Sequence, residues 1–398
     1  MKNPSETQLS MLSARAHALM RPLAPLARGS DGTLCPQSRE QFAALSRAIL
    51  RRNRAVGASI VLLSPGGAQD VFCFGHARLS PRMPVTPDTC FRVASVSKLV
   101  LSFGALSLVE SGLLSLDEDA GALLGYPLRN PHAPDVPVTL RMLLTHTASL
   151  RDEGTYGSRG MEEGCTLREL LENDENWLPQ APGTDFHYSN LGAGVAGVIM
   201  ERAAGKPLDD ILQERIFAPL SIRASYDPRR ITPHEDIADG YAVRAFLPPR
   251  LRYDAAALSA RPPQPFDPER DYLCAAGRMI TDARGMGALL RLLGEQGDTA
   301  VLSGASLKLM RTDQSGLGGI AHAGRGLNVA FLPDVLPGRS LVGHQGVAYG
   351  MCAEMFVDLS SGAGVGIMIN GVRLVRTPPL MRAGFDLLTL GFAALGSA

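Results

Sequence analysis

The feature that most constrains the fold is the position of the β-rich segments, which lie at both ends of this 398-residue chain. Near the amino end, residues 58–63 and 70–74 are β-rich runs that flank a Pro-Gly-Gly turn, which predicts a hairpin. Near the carboxyl end, the runs GLNVAFLP, SLVGHQG, MCAEMFVDL and GVGIMIN predict four strands within residues 326–370. This distribution indicates one α/β domain that is built from both ends of the chain.

Between these ends the pattern is helical, with the segments VTLRMLLTH, TLRELLEN, GAGVAGVIMERAAG and PLDDILQERIFAPL. We therefore predict an α/β domain formed by residues 37–115 and 270–398, interrupted by a helical insertion at 116–269. Within the insertion, the proline-rich segment 247–268 predicts a long surface loop. Residues 1–36 are predicted to be an N-terminal extension that begins with a short helix.

Four further helices are predicted outside the insertion. One covers residues 38–53 with Ser38 as its N-cap, one begins near Ser95 and continues through Val109, one covers the segment ITDARGMGALLRLLGEQ at 280–296, and one covers residues 378–395. Because ligand sites favour the boundary between domains, we expect a functional site in the cleft between the α/β part and the insertion.

Composition argues against several classes of function. The 39 basic and 39 acidic residues give zero net charge, whereas nucleic acid or an anionic membrane as the main partner requires a basic excess. The densest basic cluster, Arg47, Arg51, Arg52 and Arg54, falls at a predicted helix end and is interpreted as compensation of the helix dipole. No apolar run could span a membrane and no signal peptide is recognisable, so we expect a cytoplasmic protein with a small-molecule substrate.

No metal or cofactor is expected, because the chain lacks H-x-H, H-E-x-x-H, G-x-G-x-x-G and Walker A patterns. The six cysteines are scattered and include no C-x-x-C pair, which is typical of reduced, buried side chains.

Lys98 is one of only four lysines in a chain that otherwise relies on arginine, and it lies three residues after Ser95. Arginine stays protonated, whereas burial and neighbouring groups can make a lysine neutral. On the first turn of a predicted helix, this spacing places both side chains on one face, with free backbone N–H groups beside the serine. A neutral amine next to a hydroxyl can generate a nucleophile; the alternative is a capping serine with an exposed lysine.

Other segments support the catalytic alternative. FHYSNLG contains Tyr188 and Asn190, LVGHQGVAYG contains His344 and Gly346, and MLLTHTASL contains His146, which we expect to brace the site wall. In chain order, the motifs are FRVASVSK, LLTHTASL, PGTDFHYSNLGAGVAG, AAGRMITDARGMGALL and GHQGVAYG. Their sequences, order and spacing resemble the serine β-lactamase/penicillin-binding-protein superfamily, in particular its class C-like esterases and D-aminopeptidases. The resemblance covers roughly residues 40–395. It implies a β-lactamase/transpeptidase-like α/β fold, with a central, mainly antiparallel sheet flanked by helices and an all-α insertion.

The resemblance also implies roles for the polar residues. Ser95 would be the acylated nucleophile, Lys98 its general base or the partner of the base, and Tyr188 would transfer the proton at the leaving group. Lysine and tyrosine have reference pKa values near 10, so a base made from either must have a coupled or shifted titration. The sequence leaves open which of the two is the base.

On the substrate side, the resemblance implies that Asn190 binds the substrate amide and that Ser95 and Val347 supply the N–H groups of an oxyanion hole. In relatives the third motif usually begins with lysine, which binds a substrate carboxylate, whereas here it begins with His344, followed by Gln and Gly346. An imidazole is mostly neutral above pH 7 unless a neighbour raises its pKa. We therefore expect a preference for substrates without that carboxylate, and low β-lactamase activity.

These expectations together predict a serine hydrolase that forms an acyl-enzyme with an ester, an amide or a D-configured peptide. The alternatives are a β-lactamase or D-Ala carboxypeptidase, a penicillin-binding sensor that does not turn over, and a non-catalytic scaffold. An acyltransferase that uses a second nucleophile in place of water is a further alternative.

Overall fold

The computed structural model describes residues 27–28, 34–36, 38–153, 164–263, 265–317, 325–336 and 338–396. The α-helices are α1 (Arg39–Arg52), α2 (Ser97–Glu110), α3 (Ala120–Leu124), α4 (Leu140–Leu144), α5 (Leu167–Leu171), α6 (Asn190–Ala204), α7 (Leu208–Leu212), α8 (Ala255–Ser259), α9 (Cys274–Gly277), α10 (Ala283–Gly294), α11 (Gly304–Met310) and α12 (Arg382–Leu395). The strands are β1 (Ala27–Arg28), β2 (Leu34–Cys35), β3 (Gly57–Leu63), β4 (Gln69–Leu79), β5 (Arg82–Pro84), β6 (Phe91–Arg92), β7 (Arg129–Asn130), β8 (Ala133–Pro137), β9 (Ala224–Ser225), β10 (Gly240–Ala242), β11 (Arg250–Tyr253), β12 (Ile280–Thr281), β13 (Arg325–Gly326), β14 (Val329–Leu336), β15 (Arg339–Ala348), β16 (Met351–Asp358), β17 (Gly364–Ile369), β18 (Arg376–Thr377) and β19 (Leu380–Met381).

Eight strands form the central sheet, in the order β13-β14-β15-β16-β17-β3-β4-β5. Every neighbouring pair is antiparallel, and the pairing of β17 with β3, with Val365 opposite Leu62, joins the two ends of the chain. The predicted hairpin and the four predicted carboxyl-terminal strands are therefore confirmed, and so is the predicted fold class. The division into domains stays a prediction.

Both faces of the sheet are covered, which explains why its central strands are apolar throughout. β3, β16 and β17 are buried at every position, as expected for strands with helices on each side. On one face, α1 and α12 enclose a core that includes Phe42 and Leu388; on the other, α2 and α10 belong to a larger core with Leu99 and Leu289.

Helix α2 passes through this larger core. Each residue from Ser97 to Leu108 is buried, in agreement with a sequence that is apolar on every side of the helix. A 3₁₀ turn, Ala94–Val96, precedes it, so the predicted helix begins two residues after Ser95. Ala94 has a φ of 48°, in the left-handed region that is costly for a residue with a side chain, and such strain concentrates at functional sites.

Two other helices lie beside α2. Helix α6 begins at Asn190, after Ser189 caps it by accepting a hydrogen bond from the N–H of Gly192 at 3.0 Å. At Gly197 of α6, a Cβ atom would lie 2.7 Å from the Cβ of Ala275, so glycine is needed there for α9 to pack closely. The close contact brings the backbone of α9 next to the start of α2.

Several predictions need correction. The predicted loop 247–268 contains β11, which pairs with β10, and α8, where the side chain of Asp254 caps the helix by accepting from Ala257 N. These local hydrogen bonds outweigh the proline-rich composition. The predicted all-α insertion also includes the hairpin β7–β8. The predicted helix at the start of 1–36 lies outside the described residues, and no helix in the described part is long and apolar enough to cross a bilayer.

Candidate active site

The side chain of Lys98 is at the centre of the candidate site and is completely buried. Its Nζ donates hydrogen bonds to Ser95 Oγ at 3.1 Å, Asn190 Oδ1 at 2.7 Å and the carbonyl oxygen of Ala276 at 2.6 Å. Three protein acceptors thus replace the water that would otherwise solvate the amine. The structure brings together the serine, lysine and asparagine that the sequence analysis singled out.

Burial lowers the pKa of Lys98 to about 7, although the charge of Asp152 acts in the opposite direction. A lysine with this pKa is neutral in about half of the molecules at pH 7, and a neutral amine can accept the proton of Ser95.

Tyr188 also contacts Ser95, the predicted nucleophile. Its hydroxyl donates to Ser95 Oγ at 2.8 Å, and its ring centroid is 5.0 Å from the Nζ of Lys98. The residue is 37% exposed, so the ring also faces the open side of the site. Desolvation around the hydroxyl raises the pKa of Tyr188, while the hydrogen bond with Ser95 lowers it to a smaller extent. The phenol therefore keeps its proton at neutral pH.

Asp152 is a site residue that the sequence analysis missed. Its carboxylate accepts hydrogen bonds from the backbone N–H groups of Asn190 at 2.8 Å and Leu191 at 3.1 Å, and from Ser189 Oγ at 3.0 Å. It also accepts from Asn190 Nδ2 at 2.7 Å, which leaves the amide oxygen of Asn190 facing Lys98. A carboxylate at the start of α6 is also stabilised by the helix dipole. The signal in the sequence is its position two residues after the HTASL segment.

Strand β15 closes the site behind Ser95. At Gly346, a Cβ atom would lie 2.1 Å from the carbonyl oxygen of Val93 and 2.9 Å from the N–H nitrogen of Ser95, so glycine is required for the strand to approach the turn. Val347 follows in the same strand. The two predicted oxyanion-hole residues therefore lie on neighbouring elements: Ser95 on the 3₁₀ turn and Val347 on β15.

His344 lies on the same strand, and its ring centroid is 6.2 Å from that of Tyr188. The side chain is buried, and its Nδ1 is 2.6 Å from the carbonyl oxygen of Gln345. Burial, with a smaller contribution from the charge of Lys98, lowers the pKa of His344 to about 3. The imidazole is therefore neutral at pH 7 and supplies no fixed positive charge.

His146 forms a wall of the site, as expected. Its ring is 4.5 Å from the ring of Tyr188, and its Nδ1 accepts a hydrogen bond from the N–H of Ser189 at 3.3 Å. The residue is buried and has a φ of 60°, a second left-handed residue at the site. Burial lowers the pKa of His146 well below its usual value, so this histidine is also neutral.

Arg325 is a second residue that the sequence analysis missed. Its guanidinium lies 4.8 Å from the ring centroid of Phe186, and that ring is 6.0 Å from the ring of His146. The side chain is partly buried, and it forms no ion pair with a carboxylate in the described part of the chain. Its position depends on the pairing of β13 with β14, which no spacing in the sequence predicts.

A serine that shares hydrogen bonds with a lysine whose pKa is lowered and with a tyrosine, next to a strand of an antiparallel sheet, is typical of serine hydrolases that form acyl-enzymes. The profile of the family described as Beta-lactamase matches residues 37–383, and the chain belongs to this family. It is thus an enzyme of the hydrolase type, as predicted, within the serine β-lactamase/penicillin-binding-protein superfamily.

Similar proteins include esterases, penicillin-binding proteins and amidases. Esterase EstB of Burkholderia gladioli is 30% identical over 357 residues, which cover 81% of this chain and 87% of EstB. Penicillin-binding protein 4 of Amycolatopsis lactamdurans is 26% identical over 339 residues, which cover 81% of this chain and 83% of that protein. The structure of D-amino acid amidase from Ochrobactrum anthropi SV3 in complex with D-phenylalanine matches with a TM-score of 0.68 and 25% identity, over 90% of this chain and 98% of the amidase.

Proposed function

We propose that this chain hydrolyses small uncharged esters through an acyl-enzyme on Ser95, with amides and D-configured peptides as related substrates. The observation that carries the proposal is the hydrogen-bonded network in which Ser95 Oγ lies 3.1 Å from Lys98 Nζ and 2.8 Å from Tyr188 Oη. The similarity to a protein named an esterase and to a D-amino acid amidase supports this range of substrates.

In the proposed mechanism, Lys98 is the general base. Its pKa of about 7 makes the neutral amine abundant, whereas the raised pKa of Tyr188 makes the phenolate scarce. Ser95 Oγ attacks the carbonyl carbon and its proton passes to Lys98 Nζ. As the bond to the leaving group breaks, Tyr188 donates its proton to that group and is reprotonated from Lys98. Water then attacks the acyl-enzyme and releases the acid and the free serine.

The remaining residues bind the substrate. The N–H groups of Ser95 and Val347 hold the developing oxyanion, and Asn190 donates to the acyl side of the substrate from an amide that Asp152 orients. His344 is neutral, so it favours a substrate without a carboxylate at this position.

The test is intact-protein mass spectrometry together with product release, on the wild type and on Ser95→Ala. The substrates are p-nitrophenyl butyrate, D-alanine amide and benzylpenicillin. We expect the wild type to release p-nitrophenol catalytically and to show a transient mass increase of one butyryl group, and Ser95→Ala to do neither. Ser111→Ala, a substitution at the exposed end of α2, is the matched control and should behave as the wild type. Equal activity of the Ser95 variant would contradict the proposal.

A second candidate function is acylation by a β-lactam or cleavage of a D-alanyl peptide. Arg325 favours it, because this guanidinium stacks on Phe186 at the site wall and could bind a substrate carboxylate in place of the lysine that His344 replaces. If so, Arg325→Met would reduce acylation by benzylpenicillin at least tenfold and leave p-nitrophenyl butyrate hydrolysis unchanged. An equal effect of the substitution on both substrates would exclude this role.

A further inference from the structure

Three chain segments, residues 51–55, 243–252 and 371–377, are rich in arginine and in exposed apolar side chains, and the proposed chemistry does not explain this composition. Arg54 joins the first two segments, because its guanidinium donates to the carbonyl oxygens of Arg244 at 2.8 Å and Leu247 at 3.0 Å. The first and third segments are joined by the N–H of Arg373, which donates to the carbonyl oxygen of Asn53 at 3.0 Å. We call the surface that these three segments form the arginine face.

The arginine face carries a local positive charge inside a chain of zero net charge. Its three segments contain eight arginines and no aspartate or glutamate. Arg52 pairs with Asp386 outside the face. Six of the others are exposed and form no ion pair with any carboxylate that the structure describes: Arg51, Arg244, Arg250, Arg252, Arg373 and Arg376. Compensation of the dipole of α1 explains only the arginines at the end of that helix, and not those of the second and third segments.

Exposed apolar side chains lie among these arginines. Phe246 is 97% exposed and Leu247 is 54% exposed, and three further apolar residues of the face are also exposed: Leu251, Leu374 and Val375. The loop that presents Phe246 is held in place from below, because Arg54 donates to the carbonyl oxygens on both sides of it, those of Ala245 and Leu247. Phe246 therefore projects from a braced loop into solvent.

We propose that the arginine face docks the enzyme on an anionic lipid surface. Phe246 and Leu247 enter the boundary between headgroups and acyl chains, and the exposed arginines bind the phosphates around them. Arginines alone would suit nucleic acid as well, but five exposed apolar side chains suit a lipid surface better. The zero net charge of the whole chain argued against a membrane as the main partner. However, the charges are unevenly distributed, and the arginine face has a local excess of positive charge.

The docking surface adjoins the candidate active site. The N–H of Val372 donates to the carbonyl oxygen of Gly350 at 3.0 Å, and Gly350 belongs to the turn that follows β15. In the same turn, Tyr349 is 43% exposed and stacks on Arg92 at 4.9 Å. A lipid surface bound at the arginine face would therefore lie next to the end of the strand that carries Val347.

The test is co-sedimentation of the full chain with vesicles of phosphatidylcholine, with and without phosphatidylglycerol. We expect binding only to the anionic vesicles, at about 0.1 M salt and not at about 1 M, where the Debye length falls from about 10 Å to about 3 Å. Arg244→Gln/Arg373→Gln should weaken binding about 25-fold, or about fivefold for each arginine. Phe246→Ser should weaken it at least tenfold.

Arg284→Gln and Leu113→Ser are the matched controls, since both residues are exposed and lie outside the face. They should bind as the wild type does, and every variant should retain the wild-type rate on a soluble ester, which shows that it is folded. The proposal is overturned if the wild type does not bind anionic vesicles, or if the control variants lose binding equally. It is also overturned if Phe246→Ser binds normally while duplex DNA competes with the vesicles, because that result indicates a site for polyanions in general.

Discussion

Replacing Lys98 by methionine should abolish hydrolysis and, at the same time, remove a pH-dependent cost of burying the amine from the stability of the fold. The folded protein releases the proton of Lys98 near pH 7, because its side chain is fully buried. The unfolded chain holds the same proton up to its ordinary pKa of 10.5. Between these values the unfolded state binds more protons at Lys98, so the contribution of this residue to the stability of the wild type rises with pH. Methionine has a similar unbranched shape and no charge, so the variant lacks this dependence.

The pKa difference gives the expected magnitude. A lowering from 10.5 to about 7 corresponds to a cost of about 4 kcal/mol at pH 7 and about 2 kcal/mol at pH 9. The acceptors that lose their donor, Asn190 Oδ1 and the carbonyl oxygen of Ala276, destabilise the variant by an amount that does not depend on pH. The free energy of unfolding of Lys98→Met, minus that of the wild type, should therefore fall by about 2 kcal/mol from pH 7 to pH 9.

Urea unfolding of both proteins at pH 7 and pH 9 measures this difference, since the other titrating groups are common to both. Lys308→Met is the control, because Lys308 is exposed and its replacement should change the free energy of unfolding equally at both pH values. A Lys98→Met difference that stays constant between pH 7 and pH 9 would show that Lys98 does not titrate in this range. It would then hold its proton throughout and could not be the base.

Three other substitutions test the neighbours of Lys98. Asp152→Asn removes the charge that raises the pKa of Lys98, so the acid limb of the kcat/KM profile should move about one pH unit lower; an unmoved limb would contradict this coupling. Tyr188→Phe should lower kcat about 100-fold or more, yet change the free energy of unfolding, measured in urea, by less than about 1 kcal/mol. Gly346→Ala would place a Cβ 2.1 Å from Val93 O, so both ester hydrolysis and the midpoint of thermal unfolding should fall, with a loss of about 1–3 kcal/mol. A fully stable and active alanine variant would show that β15 does not need this close contact.

The parts of the fold that the sequence predicts are those set by local pattern. The central strands are continuous apolar runs because both sheet faces are covered, and such runs can be recognised in the sequence. The start of α1 is similarly local, since Ser38 accepts from Gln41 N as a predicted N-cap does. The loop prediction over 247–268 failed for the opposite reason. The strand β11 exists because of its partner β10, and the pairing of two short segments leaves almost no mark in composition.

At the candidate site, too, contacts between residues close in sequence could be predicted, whereas contacts made by tertiary packing could not. Ser95 and Lys98 are three residues apart, so one helical turn brings them together and their spacing is visible in the sequence. Asp152 and the carbonyl oxygen of Ala276 meet the site only through tertiary packing: Asp152 contacts the start of α6, and Ala276 is positioned by the close approach of α9 to α6 at Gly197. A backbone carbonyl has no residue type of its own, so the contact with Ala276 could not be predicted, whereas the only sequence signal for Asp152 is its position two residues after the HTASL segment.

Burial, rather than pairing of opposite charges, sets the chemistry of the proposed site. It lowers the pKa of Lys98 and of His344 and raises the pKa of Tyr188, and each of these shifts favours the neutral form. At pH 7 the three groups together carry only the partial charge of Lys98, and the carboxylate of Asp152 lies close to it. A substrate carboxylate that entered here would lose its hydration without gaining a fixed cation from these groups, which costs several kcal/mol. An uncharged ester avoids this cost, so under the proposed mechanism the burial that lets Lys98 act as a base would also select against charged acyl groups.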